Sequence, residues 1–321
     1  MLSIRNLSVT YPTPAGPVTP VIDVSLDIGA NETLAVVGES GSGKSQLFLS
    51  TLGLSGRGAS VSGEVVFEGR NLLKATEAEM RNIRGRRIAY VFQNPLTSLN
   101  PYLTIGTQMA EMLARDMGSQ AGLIRARCVE ALDMVQIPEG RRRLDMYPHE
   151  FSGGMRQRAM IAMALLCEPD LLIADEPTTA LDVTVQAHVI DLLRNLRRDL
   201  GMAVVLITHN LGIVADLADR TAVMYGGRVI EVGPTSEMVA LPRHPYTLGL
   251  LEAVPELDDD ISAQLVTIAG QPPNPMALPR GCTFHPRCRI AIPPCQEMVP
   301  ELAAVGAGRR SRCIRWADVS R

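Results

Sequence analysis

The eight residues GESGSGKS, at positions 38–45, carry the strongest structural signal in this sequence of 321 residues. They fit the pattern G-x-x-x-x-G-K-[ST], follow the apolar run TLAVV and open the helical pattern SQLFLSTLGL. Glycines in such a loop let backbone N–H groups turn towards phosphates, and the helix N-terminus adds partial positive charge. We predict that Lys44 contacts the β- and γ-phosphates of a nucleotide and that Ser45 contacts Mg²⁺. A chance match on a glycine-rich turn is the alternative, and the strand–loop–helix context disfavours it.

A second candidate element is LLIADEP, residues 171–177, in which an apolar run leads into Asp175 and Glu176. A carboxylate at the C-terminal end of a strand faces the ligand crevice of an open α/β sheet. We expect Asp175 to hold Mg²⁺, directly or through water, and Glu176 to polarise the attacking water as general base. Taken alone, a strand followed by a charged turn explains the pattern equally well. The phosphate loop in the same chain favours the catalytic interpretation.

Two further segments have no role in an ordinary P-loop protein: FSGGMRQR, residues 151–158, and ITHN, residues 207–210. In the first, Ser152, Gly153 and Gly154 would present a hydroxyl and two bare amides at a helix N-terminus, which is a second phosphate-binding surface. One nucleotide does not need two such surfaces from one chain. We therefore expect this surface to serve the nucleotide of a neighbouring subunit.

Composition limits the class of protein. The chain is 46% hydrophobic and 20% charged, with a formal net charge of −3, so it can bury a large core and has no basic field for nucleic acid. It shows no signal-peptide pattern at its start and no run of eighteen apolar residues, which predicts a cytosolic protein without a transmembrane helix. Thiols stay reduced in that compartment, so clustered cysteines favour a metal over disulfides.

The order of secondary-structure patterns predicts an α/β fold. Strand patterns such as LSIRNLSVTY and VIDVSLDI fill the first third of the chain, and helical spacing of apolar residues extends from residue 106 to 137. After residue 152, helical patterns alternate with the strand patterns DLLIAD, AVVLITH, TAVMYGG and RVIEVG. Such alternation predicts a mostly parallel sheet covered on both faces. Beyond residue 255 the chain becomes rich in Pro, Gly, Arg and Cys, so we place a boundary between residues 240 and 255.

Together these motifs resemble the nucleotide-binding subunit of an ABC transporter, over about residues 1–251. The resemblance adds YVFQNP with Gln93 as the Q-loop and TALD, residues 179–182, as the D-loop, and it identifies His209 of ITHN as the switch histidine. It implies a P-loop NTPase fold with a mostly parallel sheet core, an N-terminal antiparallel β-subdomain and a helical signature subdomain. The implied domains are an ABC ATPase domain over residues 1–250, with its helical subdomain over about 100–165, and a small Cys-rich extension over 251–321.

The resemblance also implies roles for single residues. Tyr11 is expected to stack on adenine, Gln93 to sense Mg²⁺ and meet the membrane subunit, and His209 to contact the γ-phosphate. Their alternatives are edge-strand packing, a surface amide and a satisfied polar strand end. The expected catalytic residues are Glu176, His209, Lys44 and Gln93, and the Mg²⁺ ligands are Ser45, Gln93 and Asp175. The expected ATP-binding residues are Tyr11, Gly38, Ser40, Gly41, Ser42, Gly43, Lys44, Ser45, Gln93 and Asp175. The residues expected at the partner's ATP are Ser152, Gly153, Gly154, Met155 and Asp182.

A narrower resemblance links the chain to the oligopeptide/dipeptide importer ATPases. It rests on residues 147–187, on HPYTLGLLEAVP at residues 244–255, and on the tail GQPPNPMALPRGCTFHPRCRIA at residues 270–291. The chain departs from the common ABC signature at Phe151, where Leu is frequent, and at Met155, where Gln is common. Because Met155 would line the partner's site, the departure hints that the partner is a different polypeptide.

This resemblance implies a Mg²⁺-dependent ATPase that energises peptide import. Two such subunits close head to tail around two ATP molecules and move two transmembrane permease subunits, which receive cargo from an extracytoplasmic substrate-binding protein. The expected location is peripheral, on the cytoplasmic face of the inner membrane. The alternatives are a soluble ABC ATPase in translation or DNA repair, a redox-gated regulator, and an importer of a related solute such as a nickel chelate or glutathione.

The cysteines gather at the end of the chain with the spacing C-x5-C-x6-C-x17-C. This spacing is loose for zinc, and it does not match the best-known ferredoxin spacings either. The resemblance favours a [4Fe–4S] cluster; zinc and no metal are the alternatives, and His285 is a candidate substitute ligand. Cys128 and Cys167 lie in helical patterns and are expected to be small core residues. The predicted cluster ligands are Cys282, Cys288, Cys295 and Cys313.

Overall fold

The computed structural model describes residues 1–118, 120–179, 182–254 and 267–320. Internal contacts divide the chain into two compact units. Unit 1 comprises Met1–Ala75 and Leu206–Arg321, and unit 2 comprises Thr76–Val205. The strands are β1 (Leu2–Thr13), β2 (Gly16–Ile28), β3 (Thr33–Val37), β4 (Ser60–Phe67), β5 (Arg70–Asn71), β6 (Ile88–Val91), β7 (Leu171–Asp175), β8 (Ala203–Thr208), β9 (Arg220–Tyr225), β10 (Arg228–Pro234), β11 (Ala303–Gly306) and β12 (Arg309–Ser311).

The helices connect and cover these strands. They are α1 (Lys44–Thr51), α2 (Glu77–Ile83), α3 (Pro95–Ser98), α4 (Ile105–Met117), α5 (Ala121–Met134), α6 (Gly140–Arg143), α7 (Gly153–Leu165), α8 (Val183–Leu200), α9 (Leu211–Leu217), α10 (Thr235–Ala240), α11 (Pro245–Glu252) and α12 (Pro294–Glu297). In the described part of the chain, no helix is both long and apolar enough to cross a membrane.

Unit 1 contains an antiparallel sheet in the order β2-β1-β4-β5. Strand β1 pairs with β2 from Leu2↔Ile28 to Thr13↔Gly16. Alternate residues of β1, among them Leu2 and Ile4, are buried, which is the pattern of a strand with one face on the core. The predicted N-terminal antiparallel subdomain is confirmed.

A second sheet in unit 1 has the order β11-β12-β10-β9-β3. Strand β3 lies parallel to β9 and is buried along its whole length, which explains why its sequence TLAVV is a continuous apolar run. A hairpin joins β9 to β10 through Gly226 and Gly227, whose φ values of 52° and 79° suit a tight two-residue turn. The C-terminal strand β12 pairs with β10 at Glu231↔Ser311, so the extension continues this sheet.

Unit 2 combines the parallel pair β6–β7 with helices, in register from Ile88↔Leu171 to Val91↔Ala174. The helical prediction for residues 106–137 is confirmed as α4 and α5. Helix α4 ends at Gly118, whose φ of 56° allows the chain to leave the helix. The boundary expected between residues 240 and 255 adjoins residues 255–266, which lie outside the described residues, and it stays a prediction.

Candidate functional site

The phosphate loop of unit 1 joins the end of β3 to the start of α1 and is shaped by its glycines. Gly41 and Gly43 have φ values of 80° and 99°, a region that side chains disfavour. A Cβ on Gly43 would lie 2.0 Å from the Pro20 carbonyl oxygen, and a Cβ on Gly38 would lie 2.2 Å from that of Met224. Only glycine fits at these two positions, so the loop closes tightly against the backbone behind it.

Lys44 and Ser42 are buried within this loop. The Lys44 side chain is 5% exposed, and its Nζ donates to the carbonyl oxygens of Gly38 at 2.7 Å and Glu39 at 3.0 Å. The Ser42 hydroxyl is buried without a hydrogen-bond partner among the described residues. A buried hydroxyl of this kind needs a partner, and a ligand oxygen over the loop would supply one. The loop therefore has the shape and the donors of an anion cradle.

Tyr11 and His209 also belong to unit 1. Tyr11 lies on β1, half-buried, and its hydroxyl donates to the Gln46 side chain of α1. His209 follows directly after the C-terminal end of β8 and is exposed. The next residue, Asn210, caps α9 by accepting a hydrogen bond from the Gly212 amide at 2.9 Å. His209 therefore lies between the end of β8 and the residue that caps α9.

The carboxyl end of β7 in unit 2 carries the two predicted acidic residues. Asp175 is 5% exposed, and its Oδ2 accepts a hydrogen bond from the Tyr90 hydroxyl at 2.7 Å. Burial, together with the adjacent Asp175 carboxylate, raises the pKa of Tyr90 above its ordinary value. The phenol therefore stays protonated and acts as a donor that holds the aspartate.

Glu176 leaves the strand with a φ of 45°, an uncommon conformation for a residue with a side chain. Its Oε2 accepts hydrogen bonds from the Gln93 amide nitrogen at 2.7 Å and from the Thr179 hydroxyl at 2.8 Å. The structure thus brings together Gln93 and Glu176, which lie 83 positions apart. Two donors fix the carboxylate in its orientation, as expected for a preorganised base.

The signature segment opens α7 in unit 2. Ser152 is exposed and caps the helix by accepting a hydrogen bond from the Met155 amide at 3.2 Å. A Cβ on Gly154 would lie 2.7 Å from a methyl group of Val185 in α8, so glycine permits the two helices to approach closely. Asp182 is exposed and caps α8 through the Val185 amide at 2.9 Å, while residues 180 and 181 of the D-loop lie outside the described residues.

The cysteines of the C-terminal extension converge in unit 1. They line one cavity of about 20 Å³ together with His244 and His285. Its cysteine lining consists of Cys282, Cys288, Cys295 and Cys313. The Cys282 amide donates to the Cys295 carbonyl oxygen at 2.8 Å, which closes the loop between the first and third cysteines.

These thiols have the donor chemistry of a thiolate-ligated metal group, but their present arrangement is not preformed for one. Burial and the neighbouring thiols raise the pKa of Cys313 to about 12, and burial also raises the pKa values of Cys282 and Cys288. Among the described residues, no group of three or more His, Cys, Asp or Glu side chains is arranged to hold a metal ion. A cavity of about 20 Å³ has room for roughly one water molecule, so a cluster would require the thiols to move apart.

The two cysteines outside the extension differ from each other. Cys128 is 1% exposed within α5, which confirms the expectation of a core residue. Cys167 lies in the turn after α7 and is half-buried, so the expectation of a helical core position is wrong for it. Pro169, two residues after Cys167, is the sequence signal for this helix end.

Comparison with known proteins agrees with this geometry. The family model described as "ABC transporter" matches residues 21–179, and the one described as "Oligopeptide/dipeptide transporter, C-terminal region" matches residues 230–295. The chain is 49% identical to the oligopeptide transport ATP-binding protein OppD of Haemophilus influenzae, over 99% of this chain and 98% of the relative. This chain belongs to the ABC transporter ATP-binding proteins. Within that family it belongs to the branch that carries the oligopeptide/dipeptide transporter C-terminal region.

Other relatives extend the comparison. The ABC chain is 48% identical to OppD of Salmonella typhimurium, over 98% of this chain and 93% of the relative. Among solved structures it resembles the ATP-binding cassette MJ0796, described as dimeric in a post-hydrolysis state bound to ADP and Pi. That match has a TM-score of 0.66 and 28% identity, and it covers 73% of this chain and 99% of that one. This chain therefore has the fold of the ABC ATPases.

Sequence reasoning missed two residues of the unit 2 site, Tyr90 and Thr179. Tyr90 lies in the strand pattern RIAYVFQ, three positions before Gln93, and its partner Asp175 is 85 positions away. The sequence identifies Thr179 only as the first residue of the D-loop. The signal for both was their closeness in sequence to residues already singled out.

Proposed function

We propose that this ABC chain binds ATP with Mg²⁺ and hydrolyses it to drive the import of oligopeptides or dipeptides through membrane subunits. The observation that carries the proposal is the likeness to curated oligopeptide transport ATP-binding proteins along nearly the whole chain. The glycine-shaped phosphate loop with its buried Lys44 supports it, because backbone amides and a lysine at a helix N-terminus bind phosphate groups.

In the proposed ATP site, Lys44 and the loop amides bind the phosphates, and the Tyr11 ring stacks on adenine. Lys44 already points to the inner side of the loop, where it contacts two carbonyl oxygens. Ser45, Gln93 and Asp175 would hold Mg²⁺, which neutralises phosphate charge when it is bound.

Glu176 is the proposed general base, and His209 is proposed to contact the γ-phosphate. The hydrogen bonds from Gln93 and Thr179 keep the Glu176 carboxylate in place without protonating it. A carboxylate held in this way accepts a proton from the attacking water. Positioning and electrostatic stabilisation then supply most of the rate enhancement, as is general for phosphoryl transfer.

Replacement of Glu176 tests the hydrolytic step. We expect Glu176→Gln to lower kcat by about 100-fold or more while ATP binding changes little, since the amide keeps the shape and cannot accept the proton. Glu130→Gln is the matched control, because the Glu130 side chain is 63% exposed and lies on α5. Unchanged turnover in Glu176→Gln would remove this residue from the role of base.

We also propose that the chain works in a head-to-tail pair with a second, different ABC ATPase. Ser152, Gly153, Gly154, Met155 and Asp182 would face the partner's ATP. The exposure of Ser152 and Asp182 supports this. The Ser152 hydroxyl also caps α7, and the Asp182 carboxylate also caps α8. Two permease subunits and an extracytoplasmic substrate-binding protein complete the proposed importer, with this chain on the cytoplasmic face of the membrane.

Affinity purification from native membranes tests these partners. We expect two membrane subunits and a second ATPase to co-purify, and we expect loaded binding protein to stimulate ATP turnover. Homodimers as the sole species would contradict the heterodimer, and stimulation by a nickel chelate or glutathione in place of peptide would reassign the cargo.

For the extension we propose a [4Fe–4S] cluster on Cys282, Cys288, Cys295 and Cys313, with zinc as the alternative. Four thiols lining one cavity support the proposal. Because burial raises the pKa of several of these thiols, metal binding must release protons. Because the cavity between them is only about 20 Å³, the thiols must also move apart. Iron, sulfide and zinc would be measured after anaerobic purification, with Cys288→Ser as the variant. About four irons and four sulfides, lost in the variant, are expected; one zinc, or neither metal, would reject the cluster.

A further inference from the structure

The C-terminal extension contacts the phosphate loop through an ion pair between a buried arginine side chain and a partly exposed glutamate. Arg287 precedes Cys288 directly and is 6% exposed; its Nη1 and Nη2 donate to the two carboxylate oxygens of Glu39 at 2.8 and 3.0 Å. Glu39 is the second residue of GESGSGKS. Two parallel hydrogen bonds from a guanidinium fix both the position and the plane of a carboxylate.

The guanidinium itself is held from several sides. Its Nε donates to the Ala269 carbonyl oxygen at 2.9 Å, and Nη2 also donates to that of Ile268 at 3.0 Å. Nη1 reaches the Tyr225 hydroxyl at 3.3 Å. These partners come from the extension and from the end of β9, so Arg287 cannot follow Glu39 if the loop moves.

Glu39 transmits this constraint to the phosphate-binding atoms. Its amide donates to the Tyr246 hydroxyl at 2.8 Å, and its carbonyl oxygen accepts from Lys44 Nζ at 3.0 Å. Tyr246 is fully buried and packs against Phe284, with ring centroids 5.4 Å apart. The side chain of Glu39 is thus fixed by the extension, while its main chain positions the lysine.

The extension also forms a wall beside the same loop. Residues 272–275 and Leu278 line a cavity of about 350 Å³ together with loop residues 39–42. Glu39 and Tyr225 both line this cavity, and both contact Arg287. The pair therefore lies beside a space that a polyanion bound to this loop would approach.

The Arg287–Glu39 pair changes the charge that a bound phosphate meets at the loop. A carboxylate in a loop built for phosphates repels the ligand, and the repulsion is strong where water is scarce. Arg287 offsets that charge and fixes the carboxylate by two hydrogen bonds. We propose that Arg287 is a positioning residue for the nucleotide, through which the extension sets the ATP affinity of the phosphate loop. This inference rests on the proposed ATP site and assigns the Cys-rich extension a role in that site.

A double-mutant cycle tests the inference by equilibrium binding of a fluorescent methylanthraniloyl-ATP with Mg²⁺. We expect Arg287→Gln to raise the Kd by about 10-fold or more, since it leaves Glu39 charged and unpaired near the phosphates. Glu39→Gln alone should have a small effect. The double variant should recover to within about three-fold of the wild type, because the repelling charge is then gone. Arg289→Gln is the control, because it removes the same charge from a neighbouring side chain that is 74% exposed. This variant should bind the nucleotide like the wild type.

Rescue separates positioning from a merely structural role. Each Kd is measured where urea unfolding shows every variant to be folded, so that lost folding cannot mimic weak binding. A double variant that binds as weakly as Arg287→Gln would overturn the inference, because the Glu39 charge would then not be the cause; so would an Arg287→Gln Kd within two-fold of the wild type. Arg287→Lys guards against misfolding: it keeps the charge but not the paired bonds, and an intermediate Kd is expected. A wild-type chain that binds no nucleotide would instead reject the proposed function itself, which is a distinguishable failure.

Discussion

The phosphate loop and the seat of the C-terminal extension lie in the same unit and are built in opposite ways. The loop consists of eight consecutive residues whose conformation is dictated by glycine backbones. The seat, which we define as the residues that hold residues 267–320 on the core, depends on ion pairs between distant positions. Arg287 and Glu39 are 248 positions apart, and Arg309 and Glu231 are 78 apart. A requirement for glycine at particular backbone positions appears in the sequence as a motif. The pairing of two distant charged residues leaves no such motif.

The two regions also differ in what holds them. In the loop, the cost of change is steric, because a side chain would overlap a neighbouring carbonyl oxygen. In the seat, the cost is electrostatic, because charges lie in the protein interior. Glu231 is 0% exposed and Arg309 5%, and they pair at 3.0 Å. Burial raises the pKa of Glu231 above its ordinary value, although its hydrogen bonds oppose that shift. We therefore expect a single replacement in the Glu231–Arg309 pair to lower the free energy of unfolding strongly, and replacement of both residues to lower it little.

The largest effect is expected from Glu231→Ala. It leaves the Arg309 guanidinium buried without its carboxylate, which costs about 3–5 kcal/mol of unfolding free energy. Trp316, the only tryptophan in the chain, lies in the extension and reports its release by fluorescence during urea unfolding. Replacing both Glu231 and Arg309 by Met should recover most of the loss.

An exposed ion pair serves as the control for this prediction. Asp27 pairs with Arg5 at 2.7 Å, but the two side chains are 52% and 45% exposed. Asp27→Ala should cost less than about 1 kcal/mol. If Glu231→Ala cost no more than Asp27→Ala, the distinction between an electrostatic seat and a steric loop would be lost.

The next effect concerns the loop, through Gly43→Ala. Its φ of 99° and the overlap at 2.0 Å with the Pro20 carbonyl oxygen together cost about 2–5 kcal/mol, as strain plus overpacking. Gly41→Ala is the matched comparison, since Gly41 has a φ of 80° and nothing within 4 Å of the added Cβ. It should cost about 1–2 kcal/mol from the conformation alone. Equal losses of unfolding free energy in the two variants would show that the close contact does not matter.

The same contrast explains what could be predicted from sequence. The strands β3, β7 and β8 are fully buried and appear as continuous apolar runs, so their positions were predictable. The phosphate loop and the acidic strand end follow directly from two of these runs. Gln93 and Glu176, both identified through their motifs, are hydrogen-bonded in the structure.

The buried polar contacts of the extension could not be predicted, because each of their residues taken singly is of a common type. A single Arg or Glu in a sequence is usually a surface residue. Glu231 lies in the apolar strand pattern RVIEVG, but nothing in the sequence indicates its pairing with Arg309. In the sequence His244 stands out only as part of the segment HPYT, yet it is 1% exposed and caps α11 by accepting a hydrogen bond from the Tyr246 amide at 3.1 Å. Such groups are buried only because the fold brings distant partners next to them. Local sequence patterns do not indicate these partners.

The smallest effect separates two contributions within the seat. The Arg243 guanidinium lies over the Trp316 ring, 4.9 Å from its centroid, while the Arg243 amide donates to Glu231 at 2.8 Å. Arg243→Met keeps the backbone contact and the aliphatic bulk but removes the cation, so it should cost about 1 kcal/mol. Arg243→Lys keeps the charge and should cost about half as much. The measurement is urea unfolding followed by Trp316 emission, whose wavelength should also shift when the guanidinium is removed. If Arg243→Met matched the wild type in both, the side chain would contribute nothing, and the buried pair at Glu231 would hold this part of the extension without it.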